Sequence, residues 1–182
     1  MILSIDIGIH NLAYALFDDD IVWFDIYDVD NKMKAFERRT NVVLSRTKYL
    51  HEFVKDIFEN NNITKVIIER QVPTNTIAME IMYMLTGIVY TYCNNIVIFD
   101  PKLKFTTIGL PYDTHNKAHK KLSIEIVEKY LENKNKILFD KLQTYEKKDD
   151  ISDAILMALV ETFKDDKEKL VEIRHFYTSL KF

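Results

Sequence analysis

Glycine is scarce in this 182-residue chain, which holds only Gly8, Gly87 and Gly109. A fold that wraps phosphates in several glycine-rich turns needs more than that, which argues against an ATP-handling protein of the actin and sugar-kinase type, although the first strand-like run ends in Asp6-Ile7-Gly8. Cysteine is scarcer still. Cys93 stands alone, so it forms neither an internal disulfide nor a cysteine zinc site, and an intracellular, reducing compartment is the expectation. In its apolar run Cys93 reads as a small buried hydrophobe. No stretch is rich enough in Gly, Ser or Pro to be a linker or a disordered tail, and no internal repeat is visible. The best membrane candidate, Thr76 to Cys93, carries Glu80 and barely matches the length of a bilayer span, so it reads as a buried helix and no membrane association is expected. Met1 opens directly into Ile2-Leu3-Ser4-Ile5-Asp6, without the basic start or cleavage site of a secretory signal, so export is not expected either.

Neither sign of charge dominates. Lys and Arg number 25 against 28 Asp and Glu, a net charge of −3 that at first argues against a polyanionic partner. The total hides clustering: basic residues bunch at Arg38/Arg39/Arg46/Lys48, Lys102/Lys104, Lys117/Lys120/Lys121 and Lys147/Lys148. Each cluster alone is as well explained by a solvated face. Only a position around an active centre would give it meaning.

What the chain has is apolar residue in quantity, 47% hydrophobic and 12% aromatic, enough for one well-buried α/β domain spanning residues 1–182. Ile2 to Asp6, Asn11 to Phe17 and Ile21 to Tyr27 read as three strands in an antiparallel meander. Helical spacing of Val43, Leu44, Tyr49, Leu50, Phe53, Val54, Ile57 and Phe58 predicts a helix over Thr40 to Asn60. Lys65 to Glu69 is a wholly apolar run with charged ends, the pattern of a central strand covered on both faces. A helix from Thr74 to Cys93, a strand Asn95 to Phe99, a loop around Asp100 to Phe105, and helices Lys117 to Glu132, Asp149 to Phe163 and Asp165 to Phe176 complete the order. Three hairpin strands followed by alternating helix and strand give a mixed five-stranded sheet flanked by helices. The Thr74 to Cys93 helix is apolar almost all round and needs two burying partners. The second is expected to be the same helix of another subunit, making a homodimer.

The chemistry lies in the carboxylates. Asp6 ends the first strand and Glu69 the fourth, where an uncompensated buried charge would be costly. Asp150 and Asp153, three apart at the start of a helix, project from one face. Singly, each has a plain alternative: Asp6 can cap the turn at Gly8, Glu69 can pair with a lysine, and Asp149, Asp150 and Asp153 suit a helix N-terminus. Together they supply hard oxygen ligands from three elements, a set suited to Mg²⁺ or Mn²⁺, and two such ions can activate water and steady the leaving oxygen of a phosphodiester.

Asp-Ile-Gly-Ile-His-Asn-Leu-Ala-Tyr-Ala-Leu from Asp6, Ile-Ile-Glu-Arg-Gln around Glu69 and Lys-Lys-Asp-Asp-Ile-Ser-Asp-Ala-Ile-Leu-Met-Ala-Leu from Lys147 resemble, in that order and over nearly the whole chain, the RuvC-like Holliday junction resolvases, most closely their poxvirus branch. The resemblance implies an RNase H-like fold, a homodimer on four-way DNA junctions, and Mg²⁺-dependent paired nicking, with Mn²⁺ able to substitute. It also implies a viral role in recombination and concatemer resolution, in host cytoplasm or virion. Its four acidic ligands fall on Asp6, Glu69, Asp150 and Asp153, with Asp149 as the neighbour competing with Asp150. Its basic residues fall on Lys102 or Lys104 and on Lys120 or Lys121, and Lys121 is the preferred catalytic lysine. Lys117 and Lys148 join them as DNA contacts, as do His10, Asn11, Arg70 and Gln71 beside the two strand ends. His115 and His119 either orient a water or are simply solvent-exposed. The competing readings are a nuclease acting on RNA/DNA hybrids and a non-catalytic branched-DNA-binding module.

Overall fold

The computed structural model describes residues 1–8, 10–35, 42–112 and 116–178, and for residues 11, 30, 116–118, 177 and 178 it describes the backbone only. Arg38, Arg39 and His115 lie outside the described residues, as do the side chains of Asn11 and Lys117. The strands β1 (Ile2–Ile7), β2 (Asn11–Asp18), β3 (Asp20–Asp28), β4 (Lys65–Glu69) and β5 (Ile96–Phe99) form one sheet in the order β3-β2-β1-β4-β5. β1, β2 and β3 pair antiparallel, whereas β4 and β5 run parallel to β1. The β2–β3 turn is tight enough to put Asp19 at φ 61°, a left-handed conformation that an aspartate tolerates better than most residues.

Period-two alternation divides the strands between two cores. Leu3, Ile5 and Ile7 of β1, with Val66 and Ile68 of β4, face a layer formed by α2 (Val42–Asn60) and α3 (Thr76–Tyr90), beside the one-turn α1 (Val29–Lys32). Ile67 and the small residues Ala13 and Ala15 face the opposite core. That side holds α4 (Leu103–Thr106), α5 (Asn116–Lys134), α6 (Lys136–Gln143), α7 (Lys148–Phe163) and α8 (Lys167–Thr178). Small strand side chains let α7 lie close on the sheet. The ten buried residues of α7, Ile151, Ser152 and Ala154 through Glu161, make it the most deeply enclosed helix.

The helix after β4, expected to bury one face on the sheet and a second on another subunit, is covered on one side in the single chain. α3 buries Ala78, Ile81, Met82, Leu85 and Val89 on one side only and leaves Ile77, Tyr83 and Tyr90 exposed. Its start is fixed by Asn75, whose side chain accepts from Ala78 N. α6 was not anticipated. Asn135 caps it by accepting from Leu138 N at 3.1 Å, and Leu138 and Leu142, one turn apart, are its buried face. Cys93 is half-buried rather than buried. No helix among the described residues is long and apolar enough to cross a membrane.

At the end of the sheet where β1 begins, the Lys65 ammonium donates to Glu161 Oε1 at 2.6 Å and Lys164 to the same oxygen at 2.9 Å. Burial alone would raise the Glu161 carboxyl, but hydrogen bonds from Lys65 and Lys164 hold it below the ordinary 4.5. A depressed acid stabilises the fold above its unfolded pKa, and that contribution fades as pH falls through the folded value. Glu161→Gln is therefore expected to cost about 1–3 kcal/mol at neutral pH, a figure discounted for the exposure of Lys164. Urea unfolding at pH 7 and below pH 4 checks it, because the difference between variant and wild type should shrink in acid.

Candidate active site

β1 and β4 are parallel neighbours in which Ile5 stands opposite Ile68. The next residue on each strand is therefore a carboxylate, Asp6 beside Glu69, and both share the side of Ile67 that faces α7. The carboxyl ends of parallel strands are where open α/β sheets form their crevices. α7 begins at Lys148, one residue before the expected Asp149, and its N-cap Lys147 makes no side-chain cap bond. Asp149 and Asp150 thus occupy the first turn and Asp153 the next, with Asp150 and Asp153 directed to the strand ends.

These groups line a cleft of about 390 Å³ together with Ile7, Arg70, Gln71, Val72, Asn75, Pro101, Lys104, Phe105, Tyr112, His119 and Lys120. At its floor is a buried lysine. Lys104 is only 3% exposed, and its Nζ donates to Glu69 Oε1 at 2.7 Å and pairs with Asp153 Oδ2 at 2.8 Å. Burial pulls its ammonium toward neutrality, but Asp153, Glu69 and Asp6 override that and keep it charged.

One lysine does not balance so much negative charge. Burial, followed by repulsion from Glu69 and Asp153, pushes the Asp6 carboxyl well above the ordinary 3.8. Asp6 and Glu69 face each other closely enough that their mutual interaction raises the first carboxyl and lowers the second. Burial would also raise Glu69, but Lys104, Asp6 and Gln71 hold it low; Gln71 Nε2 donates to Glu69 Oε2 at 3.3 Å. Burial again raises Asp153, only partly offset by Lys104 and the nearby Ser123 hydroxyl, and Asp153 Oδ1 is buried with no well-formed hydrogen bond to the described residues. At the edge of the cleft, burial and then Asp149 raise Asp150, while Lys120 bonds Asp149 and stands 3.9 Å from Asp150. Asp149 is thus turned toward Lys120, and Asp150 is the one of the two that lines the cleft.

The basic residues sort themselves by position. Lys104, Lys120 and Arg70 line the cleft, and Lys102 stands at its rim, where Arg70 at 2.8 Å and Lys102 at 3.5 Å share Asp100. Lys121 corrects the sequence preference: it is 80% exposed and pairs with Glu125 at 3.4 Å one helical turn along, because α5 turns its side chain away from the carboxylates that Lys120 meets. Lys148 is likewise directed elsewhere, donating to Glu128 at 3.0 Å and to Gln143, where it ties α7 to α5 and α6. His10 is exposed in the turn between β1 and β2 and does not line the cleft. His119 is not a solvent-exposed ring. It packs against both Phe105 and Tyr112, which also touch each other, a three-ring cluster that sequence reasoning missed because three separate segments supply it.

Comparison with known proteins agrees with this architecture. A model of the family described as Poxvirus A22 protein matches residues 1–165. A Holliday junction resolvase of fowlpox virus is 29% identical over 159 residues, covering 87% of this chain and 90% of its own. Among solved structures, the yeast mitochondrial Holliday junction resolvase superposes with a TM-score of 0.62 at 18% identity, over 98% of this chain and 85% of that one. Thermus thermophilus RuvC in complex with a Holliday junction substrate gives 0.56 at 12% identity, over 90% and 94%. At such low identity the two structures establish a shared RuvC-like fold, of the RNase H-like class. The family match spans far more than half of the sequence, and the chain belongs to the poxvirus A22 protein family.

Proposed function

We propose that this protein is a metal-dependent endonuclease that resolves four-way DNA junctions by paired, symmetrical nicks, acting as a homodimer of single nuclease domains. The observation that carries the reading is the gathering of Asp6, Glu69, Asp150 and Asp153 in one cleft around the Lys104 ammonium. The names of the fowlpox relative and of the two structural neighbours support the same activity.

The donor set fits a hard divalent cation, Mg²⁺ with Mn²⁺ able to substitute. Lys104 Nζ stands as a cation between Glu69 and Asp153, and Asp153 Oδ1 is buried with no well-formed hydrogen bond to the described residues. Burial first and then repulsion raise Asp6 and Asp153, and a dication would offset both. Among the described residues no three acidic, His or Cys side chains are already drawn in around one point; Lys104 occupies an oxygen each of Glu69 and Asp153, so a metal at those carboxylates would compete with it. Asp6, Glu69, Asp150 and Asp153 would hold the ion, which when bound supplies an activated water and neutralises charge on the scissile phosphate.

The rest is the work of the chain. Because the Asp6 carboxyl is raised by burial and by its acidic neighbours, protons compete with a metal for its oxygens, and metal affinity should rise with pH. Lys104, freed from one carboxylate, becomes available to a phosphate oxygen, and Arg70, Lys102 and Lys120 are placed for the flanking backbone. Gln71 orients Glu69 Oε2. Backbone contacts of this kind make affinity fall steeply with salt, while selectivity rests on the shape of the branched DNA. In a virus the reaction would serve recombination and the separation of concatemeric genomes.

The dimer would form through α3. Tyr83 and Tyr90 stand exposed on its outer side, and a Cβ built on Gly87 meets nothing within 4 Å. Gly87→Arg, expected to fold normally, should convert the dimer to a monomer at micromolar concentration and abolish paired nicking, as read by sedimentation and by nick mapping. An unchanged dimer would place the interface elsewhere.

Competition among three substrates tests the function itself. With Mg²⁺, a synthetic four-way junction should be cut while a linear duplex and an RNA/DNA hybrid are not. Cutting of the hybrid alone would assign the site to a hybrid nuclease, and binding without any cutting to a branched-DNA-binding module.

A further inference from the structure

Phe105, His119 and Tyr112 form an aromatic cluster on the wall of the carboxylate cleft. His119 and Tyr112 stack at 4.6 Å between ring centroids with their planes within 10°, and Phe105 touches both, 4.8 Å from His119 and 6.3 Å from Tyr112, so the three rings close a triangle. Phe105 anchors the cluster, being 2% exposed. Both His119 ring nitrogens are buried and make no hydrogen bond to the described residues. Tyr112 is 42% exposed and lines the cleft. With one face given to His119, the exposed remainder of the Tyr112 ring offers a stacking position to a flat group.

We propose that Tyr112 is a stacking platform for an unpaired nucleobase, which it holds beside the carboxylates so that the adjoining phosphate lies over them. The inference rests on the nuclease reading for its substrate but on separate residues for its geometry. Every base presents a π-face, so the platform reads no sequence. The cleft volume of about 390 Å³ suits a group the size of one nucleotide rather than a duplex. Lys120, which lines the same cleft, supplies positive charge for the phosphate of the stacked nucleotide. Paired duplex has no free base faces to give, whereas the branch point of a junction does. Tyr112 would then add selectivity for unstacked DNA to the selectivity given by shape. Its phenol is not needed for the stack, so Tyr112→Phe retains the platform and Tyr112→Ala removes it. Tyr112→Phe keeps the ring that covers His119, and thermal unfolding of both variants checks that Tyr112→Ala retains the fold.

The test uses the full chain in EDTA with two probes, a four-way junction and a short single strand, each carrying 2-aminopurine at the branch point or mid-strand. Wild type and Tyr112→Phe should quench its fluorescence on binding, whereas Tyr112→Ala should lose the quench and bind each probe on the order of tenfold more weakly. Equal quenching by Tyr112→Ala, or no quenching by wild type on either probe, would overturn the platform. Junction cleavage with Mg²⁺ separates the two ideas. Cleavage without quenching removes the platform and leaves the nuclease, while quenching without cleavage keeps the platform and removes the nuclease.

Discussion

Asp153→Asn is expected to lower junction cleavage by about 10³-fold or more while leaving junction binding in EDTA within a few-fold of wild type. The size follows from losing an anionic ligand: several kcal/mol of charge stabilisation in the transition state, at a factor of ten for each 1.36 kcal/mol. Binding survives because affinity belongs to Lys and Arg contacts with phosphate, which Asp153 does not make. The substitution also relieves repulsion, since Asp153 is one of the charges that push Asp6 upward. The variant should therefore be at least as stable as wild type in metal-free buffer, a gain in stability at the expense of activity of the kind active sites commonly show. Thermal unfolding in EDTA beside a single-turnover cleavage assay checks both halves. Full activity would remove Asp153 from the site, and a collapse in stability would make it a structural acid.

The opposite outcome is expected at the residue that faces it. Lys104→Met deletes the one buried cation among Asp6, Glu69 and Asp153 and should cost about 3–5 kcal/mol in metal-free buffer, as breaking a buried ion pair commonly does. Part of that loss disappears if Asp6 and Asp153 take up protons, so the variant should be markedly more stable near pH 5 than at pH 8. The sign follows from linkage: acids whose folded pKa is raised stabilise the fold below the unfolded value and lose that contribution as pH rises through the folded one. Added Mg²⁺ or Mn²⁺ should restore more stability to Lys104→Met than to wild type, because the metal no longer competes with an ammonium. Equal stability of variant and wild type in EDTA at pH 8 would mean that Lys104 does not balance the cluster.

Much of this was legible in the sequence because it depends on strand ends. Apolar runs that stop at Asp6 and Glu69 fix both carboxylates at the same end of a parallel pair, and helical spacing puts Asp150 and Asp153 on one face. The lysines were not legible in that way. Lys104 and Lys121 look alike as letters, and the ordinary expectation for either is exposure. What separates them is a one-turn helix after β5 that carries Lys104 between Leu103 and Phe105 into the floor of the cleft, while α5 turns Lys121 outward to Glu125. α6 could have been found, since Asn135 followed by Leu138 and Leu142 is a cap and an apolar pair one turn apart. The aromatic cluster could not. Its three rings come from α4, from the segment after it and from α5, and nothing local announces that Tyr112 and His119 will meet. The depth of α7 was also hidden, because its burial comes from Ala13 and Ala15 on the strand beneath it as much as from its own residues.

The most direct test of the central claim is cleavage of an end-labelled four-way junction by the full chain, with Mg²⁺ or EDTA and with wild type or Glu69→Gln, mapping nicks on all four strands. The account predicts symmetrical nicks in two opposed strands with wild type and Mg²⁺, and none in EDTA or with the variant. Undiminished cutting in EDTA or by Glu69→Gln would contradict it.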